Sequence, residues 1–110
     1  MVKWLFVFMC LASPAYPMTG RQALEILDNE NGNINGLYLI SGFMAGFTWS
    51  NSWVELNGGK KMFCIPGELA IVVDQAVDIF RQELGINPDS VEDPAGLVML
   101  LGLQRVFPCQ

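Results

Sequence analysis

The sequence predicts an all-α protein, a compact domain of four helices (or slightly more) with one disulfide that clasps the last two. Two observations lead to this fold class. Apolar residues recur at helical spacing in four segments, and short stretches rich in Gly, Asn or Pro separate those segments. The β-branched run at residues 71–73 suggests a strand, but the longer pattern of helical period around it outweighs that signal. With 110 residues, the chain has room for one domain.

The N-terminal segment has the order of a secretory signal peptide. Lys3 precedes an apolar run at residues 4–12, and a stretch of small residues ends at Ala15. The apolar run is too short to span a bilayer. The alternative, that this segment is a strand or helix of the mature fold, is less favoured. The sequence therefore predicts a signal peptide at residues 1–15, a helical domain at 16–110, and export to the periplasm.

The charge balance limits the kinds of partner. Without Lys3, the chain has five basic and eleven acidic residues. An acidic protein of this size repels nucleic acid and anionic membrane surfaces, and it can be steered toward a basic partner. We therefore expect no nucleic-acid partner and, once the signal is removed, no membrane association.

The first two helices follow from a capping pattern and from apolar content. The first is predicted to begin at Thr19, because Thr19 and Gln22 have capping-box spacing. The second is predicted to begin with Asn35 as its N-cap and to end at about Ser52. It is apolar on nearly every face, which indicates the central and most buried helix.

Two glycines mark one side of this second helix. Gly42 and Gly46 are four residues apart. In a membrane, that spacing would suggest helix dimerisation. Because the helix also has polar residues and follows a cleavable signal, we expect instead a close helix–helix approach inside a soluble domain.

The last two helices have clearer boundaries. The third is predicted to follow Pro66 and to end before Gly85 as its C′ residue. The fourth is predicted to begin with Asp93 as N-cap and Pro94 at the first position, and Pro108 stops it. The apolar stripe of the third helix comprises Leu69, Val72, Val73, Ala76, Val77, Phe80 and Leu84.

Few residues could carry chemistry. The sequence has no histidine, which excludes Cys–His and Ser–His nucleophilic pairs and most zinc sites. Asp89, Glu92 and Asp93 could bind calcium weakly, but they lack the alternating ligand pattern of a calcium loop. Asp74 and Asp78 are one helical turn apart, although nothing else supports a pair of catalytic carboxylates. We therefore expect no enzyme activity, no cofactor and no metal.

Two cysteines, Cys64 and Cys109, remain after signal removal. An even count in an exported chain points to one disulfide. Cys64 lies just before the third helix and Cys109 just after the fourth. If those helices pack antiparallel, as a short loop between them favours, the two cysteines come side by side. The alternative is a free cysteine that fills a cavity.

Two short motifs around these cysteines carry a resemblance to a known family. The motifs are Phe63-Cys64-Ile65-Pro66 and Phe107-Pro108-Cys109. With Asn87-Pro88 between them, Ala95 opening the last helix and Gly42 upstream, the chain resembles the Rap/Tai immunity proteins of bacterial type VI secretion from Leu37 to Cys109. It departs from the family where Gly36 and Leu39 stand in place of a cysteine and an aromatic residue.

The resemblance implies a periplasmic antitoxin without catalytic activity. Members of the family are compact helical proteins, commonly homodimers, that bind a secreted peptidoglycan amidase and occlude its active site through loops between helices. Two loops are candidates here, residues 55–61 and 87–93, and the second is favoured because it is short, acidic and braced by two helices. The predicted partner-binding residues are Asn87, Asp89, Ser90, Glu92, Asp93, Glu55, Asn57 and Lys60.

Two further interpretations concern the same chain. Trp49 and Trp53 could anchor an interface, but we expect them in the core. A small periplasmic acid-stress chaperone of the HdeA-like kind is the alternative function, because such proteins share the size, the export and the single disulfide. Buried carboxylates would drive an acid switch of that kind, and the acidic residues here lie mostly outside the apolar stripes.

Overall fold

The computed structural model describes residues 17–29, 33–67 and 69–110, and within these ranges the chain forms the four predicted helices and no β-strand. The predicted signal peptide lies outside the described residues. The all-α fold class is confirmed. The helices are α1 (Gly20–Asp28), α2 (Asn33–Leu56), α3 (Val73–Ile86) and α4 (Ala95–Val106), and a 3-10 helix (Pro88–Glu92) joins α3 to α4.

Helix α1 begins with the predicted capping box. The Thr19 hydroxyl accepts a hydrogen bond from the Gln22 N–H at 3.3 Å, and the Thr19 N–H donates to Oε1 of Gln22 at 2.9 Å. The start of α1 is also joined to the start of α4, because the Ala95 N–H donates to the Met18 carbonyl at 2.7 Å. The first and last helices therefore meet at their N-termini.

Helix α2 is longer and more exposed than predicted. It begins at Asn33, so that Asn35 lies inside the helix and is not its N-cap. Only its inner face packs on the other helices, through residues such as the fully buried Ile40. The interpretation of α2 as the most buried helix is wrong, because three other helices are too few to surround it on every side. None of the other described helices covers its apolar outer face.

The end of α2 depends on two glycines. The Gly59 N–H donates to the Val54 carbonyl at 2.9 Å, and the Gly58 N–H donates to the Glu55 carbonyl at 3.1 Å. This pair of bonds is a Schellman motif, which requires a left-handed residue after the helix. Gly58 supplies it with a φ of 78°. Helix α2 thus runs through Leu56, one turn beyond the predicted end at Ser52.

Helix α3 begins later than predicted. The Val72 N–H donates to Oε1 of Gln75 at 3.1 Å, and the first helical residue is Val73. Leu69 and Val72 are 45% and 58% exposed, so these two residues continue the apolar period without being buried in the core. The prediction that α3 starts directly after Pro66 is wrong, because hydrophobic spacing without burial does not define a helix start.

Two further boundaries differ by one or two residues. Gly85 is not a C′ residue, since α3 continues to Ile86 with an ordinary helical backbone. Helix α4 begins at Ala95, with Pro94 rather than Asp93 at the N-cap position. The 3-10 helix accounts for this shift, because it closes its own end by a bond from the Asp93 N–H to the Ser90 carbonyl at 3.0 Å.

Helices α3 and α4 form a close antiparallel hairpin. A β-carbon added at Gly102 would lie 2.9 Å from Cγ2 of Ile79 and 3.2 Å from its carbonyl oxygen. The two helices can therefore approach closely because residue 102 has no side chain. Helix α1 covers one side of this hairpin and the inner face of α2 covers another. The core comprises Ala23, Leu27, Ile40, Phe63, Ala76, Ile79, Phe80, Leu84, Ala95, Val98, Met99 and Leu103.

Candidate partner-binding surfaces

The favoured candidate loop, residues 87–93 and here called the acidic turn, is held by its own hydrogen bonds. The Asn87 carbonyl accepts from the Ser90 N–H at 3.0 Å and also from the Ser90 hydroxyl. Ser90 is 8% exposed, so its side chain stabilises the turn and is not available to bind a partner. The side chains of Asp89, Glu92 and Asp93 are exposed.

Helix α1 fixes the outer side of the acidic turn. The Gly20 N–H donates to the Asp93 carbonyl at 2.9 Å, and Nε of Arg21 donates to Oε1 of Glu92 at 2.9 Å. Arg21 therefore compensates the charge of Glu92. Asp89 and Asp93 have no ion-pair partner among the described residues. Two exposed, uncompensated carboxylates thus lie on a turn with a fixed backbone.

A buried carboxylate fixes the inner side of the same turn. Glu83 is 2% exposed, and its Oε2 accepts from Nε of Arg105 at 2.7 Å. Its Oε1 accepts from Nδ2 of Asn87 at 3.0 Å. The hydrogen bond from Arg105 holds the pKa of Glu83 below its usual range and outweighs the opposing effect of burial. Asn87, predicted to bind a partner, is thereby tied to the α3–α4 hairpin.

The second candidate loop, residues 55–61, lies at the other end of the hairpin. Nζ of Lys61 is 3.1 Å from Oε2 of Glu55, and Nδ2 of Asn57 donates to the Trp53 carbonyl at 2.8 Å. Lys60 is exposed. This loop lies beside the disulfide, whereas the acidic turn lies one helix length away, on the order of 20 Å at 1.5 Å per residue. The structure does not bring the two predicted loops together.

The predicted disulfide between Cys64 and Cys109 is confirmed. The Cys64 N–H also donates to the Phe107 carbonyl at 2.9 Å, so a covalent bond and a backbone hydrogen bond join the same two segments. Phe63 next to the bond is 1% exposed. The disulfide therefore closes the open end of the α3–α4 hairpin over a buried aromatic ring.

Asn51 of α2 is a structural residue that the sequence did not indicate. It is 7% exposed, and its Nδ2 donates to the Phe63 carbonyl at 2.7 Å while its Oδ1 accepts from the Met62 N–H at 2.7 Å. One side-chain amide thus satisfies two backbone groups of the segment that leads to Cys64. An asparagine with polar neighbours in an apolar helix gives no sign in the sequence that it faces inward.

The two tryptophans of α2 are exposed. Trp49 and Trp53 have 78% and 69% of their surface accessible, and Tyr38 on the same side of α2 has 71%. The expectation that these tryptophans belong to the core is wrong, because they point away from the helices that cover the inner face. An exposed run of aromatic residues of this size is typical of an interaction surface.

The two glycines of α2 lie on this exposed side. A β-carbon added at Gly42 or Gly46 would meet no atom within 4 Å, so the predicted close approach inside the domain is wrong. The close approaches occur at Gly102 and at Gly36, where an added β-carbon would lie 2.6 Å from Cδ2 of Leu27. Gly36, at a position where the Rap/Tai pattern has a cysteine, thus has no room for a side chain in this chain.

The described residues contain no group of three or more His, Cys, Asp or Glu side chains that could hold a metal ion. None of the described helices is long and apolar enough to cross a membrane. Asp74 and Asp78 are exposed on α3. Two exposed features stand out among the described residues, the acidic turn and the aromatic side of α2.

Comparison of the chain with known proteins found no matching family model, no matching curated protein and no matching solved structure.

Proposed function

We propose that this chain is a periplasmic immunity protein that binds a secreted peptidoglycan amidase and inhibits it by occluding the active site. The observation that carries the proposal is the acidic turn. It presents Asp89 and Asp93 on a backbone held from both sides. The motifs shared with the Rap/Tai immunity proteins supply the class of partner.

Charge supports this assignment. An amidase that works on the cell wall has to approach an anionic polymer, and a basic surface around its cleft favours that approach. Two uncompensated carboxylates complement such a surface and accelerate the encounter. Glu92 contributes less, because Arg21 compensates it at 2.9 Å.

Rigidity supports it as well. A loop that is ordered before binding does not lose conformational freedom on binding, which favours tight inhibition. The acidic turn meets this requirement through the bonds of Asn87 to Glu83 and of Gly20 to Asp93. The disulfide then keeps the supporting hairpin closed at its far end. The proposal needs no catalytic group on this chain.

The test is co-expression of the chain with the product of the neighbouring gene, followed by gel filtration. We expect neutralisation of a periplasmic toxin and a stable complex. The double variant Asp89→Lys/Asp93→Lys should weaken the complex at least tenfold. The matched control is Asp74→Lys/Asp78→Lys, which makes the same change of charge on an exposed side of α3.

Two results would contradict the proposal. One is the absence of any neutralised toxin and of any complex. The other is equal weakening by the two double variants, which would mean that net charge alone steers the encounter and that the acidic turn is not the binding surface.

One observation favours a second candidate function, the acid-stress chaperone. Glu83 is a buried carboxylate whose charge is compensated by Arg105. Its protonation in strong acid would remove that interaction and loosen the hairpin. Loss of helical packing together with protection of client proteins at roughly pH 2–3 would support this candidate, and an unchanged circular dichroism spectrum there would exclude it.

A further inference from the structure

The exposed side of α2 is a continuous face with a regular composition. We define it as the outer face of α2. It carries large side chains at both ends and small ones in the middle, and its members are exposed or open to solvent. Its six residues are Ile34, Tyr38, Gly42, Ala45, Trp49 and Trp53.

The spacing of these six residues reads the same in both directions. The steps along the chain are 4, 4, 3, 4 and 4 residues, which keep all six on one side of a helix. The midpoint falls between Phe43 and Met44. The midpoint divides the six residues into three mirrored pairs. Ile34 and Trp53 are the outer pair, the aromatic Tyr38 and Trp49 are the next, and the small Gly42 and Ala45 are the central pair.

The outer face carries no charge. Glu55 is the only charged residue of α2, and it lies beyond the six residues of the face. The chain has a net charge of −5, so most other surfaces would place carboxylates opposite each other if two copies met. On the outer face no such repulsion arises. A strongly basic partner would gain nothing from it, which separates this face from the acidic turn.

The exposed apolar area is close to what a stable interface needs. The three aromatic residues are 69–78% exposed and Ile34 is 60% exposed. Together they present about 500 Å², taking roughly 200 Å² for a whole aromatic side chain. A standard interface buries about 800 Å² on each partner. Pairing of two such faces therefore accounts for most of a standard interface.

We propose that the outer face of α2 binds the same face of a second copy of this chain, antiparallel and about a two-fold axis. The axis crosses α2 between Phe43 and Met44. A two-fold interface requires a patch that is complementary to itself. The mirrored spacing meets that requirement, since Tyr38 of one copy meets Trp49 of the other and Gly42 meets Ala45.

The small residues set the distance between the two helices. Because Gly42 and Ala45 have little or no side chain, the two backbones can approach closely at the centre, and the aromatic residues pack on either side. The polar group of Ser50 does not oppose burial. Its hydroxyl donates to the Gly46 carbonyl at 2.8 Å and is therefore already satisfied within its own helix.

Such pairing leaves the acidic turn free. The turn packs on α1 and α3, whereas the outer face is the side of α2 that the other described helices do not cover. Each dimer would thus present two acidic turns. The inference does not depend on the proposed immunity function, because it rests on the geometry of α2 alone.

The test is sedimentation velocity of the purified full chain across a range of concentrations, with two matched glycine variants. Gly42→Leu fills the centre of the outer face, and Gly85→Leu makes the same change on α3; both positions have open space around an added β-carbon. We expect the parent chain and Gly85→Leu to form dimers. Gly42→Leu should raise the dissociation constant at least a hundredfold while the thermal midpoint of the monomer does not fall. Trp49→Glu should have the same effect on association.

Three results would overturn the inference. The first is a parent chain that stays monomeric at every concentration. The second is a Gly42→Leu variant that dimerises as well as Gly85→Leu. The third is a monomeric parent whose complex with a partner protein is lost in Gly42→Leu, because the outer face would then be a surface for that partner. Failure of the immunity proposal would show separately, in the variants of Asp89 and Asp93.

Discussion

Glycine residues have opposite surroundings in the α3–α4 hairpin and in helix α2. In the hairpin, Gly102 allows two helices of one chain to touch, and a β-carbon there would meet Ile79 at 2.9 Å. In α2, Gly42 and Gly46 face open space, and large aromatic residues surround them without a partner. The helices of the hairpin pack on each other, whereas only the inner face of α2 packs on other helices.

This difference shows that apolar content and burial are separate properties. Helix α2 has apolar residues on both sides, yet a domain with four helices has enough neighbours to cover only one side. The uncovered side is free for intermolecular contact. The hairpin, by contrast, has a disulfide at one end and an ion pair between Glu83 and Arg105 that joins its two helices, and both features favour one fixed arrangement of these helices.

The largest effect on the hairpin should come from removing its disulfide. Cys64 and Cys109 are 45 residues apart, and the chain-entropy model gives about 4 kcal/mol for closing a loop of that length. We expect Cys109→Ser to lower the free energy of unfolding by about that amount, measured in urea. Reduction of the parent chain is the control and should give the same loss. A loss below about 1 kcal/mol would mean that the hairpin does not need the bond.

The next effect should come from the ion pair between the buried Glu83 and Arg105. Arg105→Met leaves Glu83 charged and buried, whereas Glu83→Gln keeps the size and the bond to Asn87 and should cost about 1–2 kcal/mol at pH 7. We expect the larger loss from Arg105→Met. The measurement is the free energy of unfolding of the parent and both variants.

The loss caused by Arg105→Met should depend on pH in a defined direction. The pKa of Glu83 lies below its usual value of 4.5 in the folded protein, chiefly because of the hydrogen bond from Arg105. The ion pair therefore stabilises the fold fully above that usual value, and the contribution is lost as the pH falls through the lowered pKa. A difference between parent and Arg105→Met that is as large at pH 3 as at pH 7 would contradict this account.

The smallest effects should have opposite signs in the two regions. Gly102→Ala places a methyl group against Ile79 and should destabilise the chain by about 1–2 kcal/mol, despite the better helix propensity. Gly42→Ala enters open space and should stabilise the monomer by about 0.5–1 kcal/mol. Thermal unfolding at low protein concentration measures both. Equal signs would mean that the two glycines have equivalent surroundings.

The elements that sequence predicted correctly depend on local patterns. Thr19 and Gln22 are three residues apart and form the capping box, and an even number of cysteines after signal removal indicated the disulfide. Periodicity located four helices. It misplaced the start of α3, because the apolar residues Leu69 and Val72 continue the period without being buried.

The elements that sequence missed depend on tertiary neighbours. Asn51 and Glu83 are polar residues whose partners lie 11 to 22 residues away, at Met62, Phe63 and Arg105. Nothing in the spacing of Gly42 and Gly46 distinguishes a contact inside the chain from one between chains. Gly102, which does make the close approach, has no second glycine three or four residues away, because the other glycine of α4 is Gly96. Its position therefore gave no pattern to detect.

The most direct test of the comparison is disulfide cross-linking of two variants that each add one cysteine to the outer face of α2. In the antiparallel pairing, equal positions of the two copies are offset along the helix by about 4–5 Å at residue 45 and by about 28 Å at residue 34, at 1.5 Å per residue. We predict that Ala45→Cys forms a covalent dimer on mild oxidation and that Ile34→Cys does not. Cross-linking of both variants would indicate a parallel pair, and cross-linking of neither would contradict the claim that the outer face of α2 joins two copies.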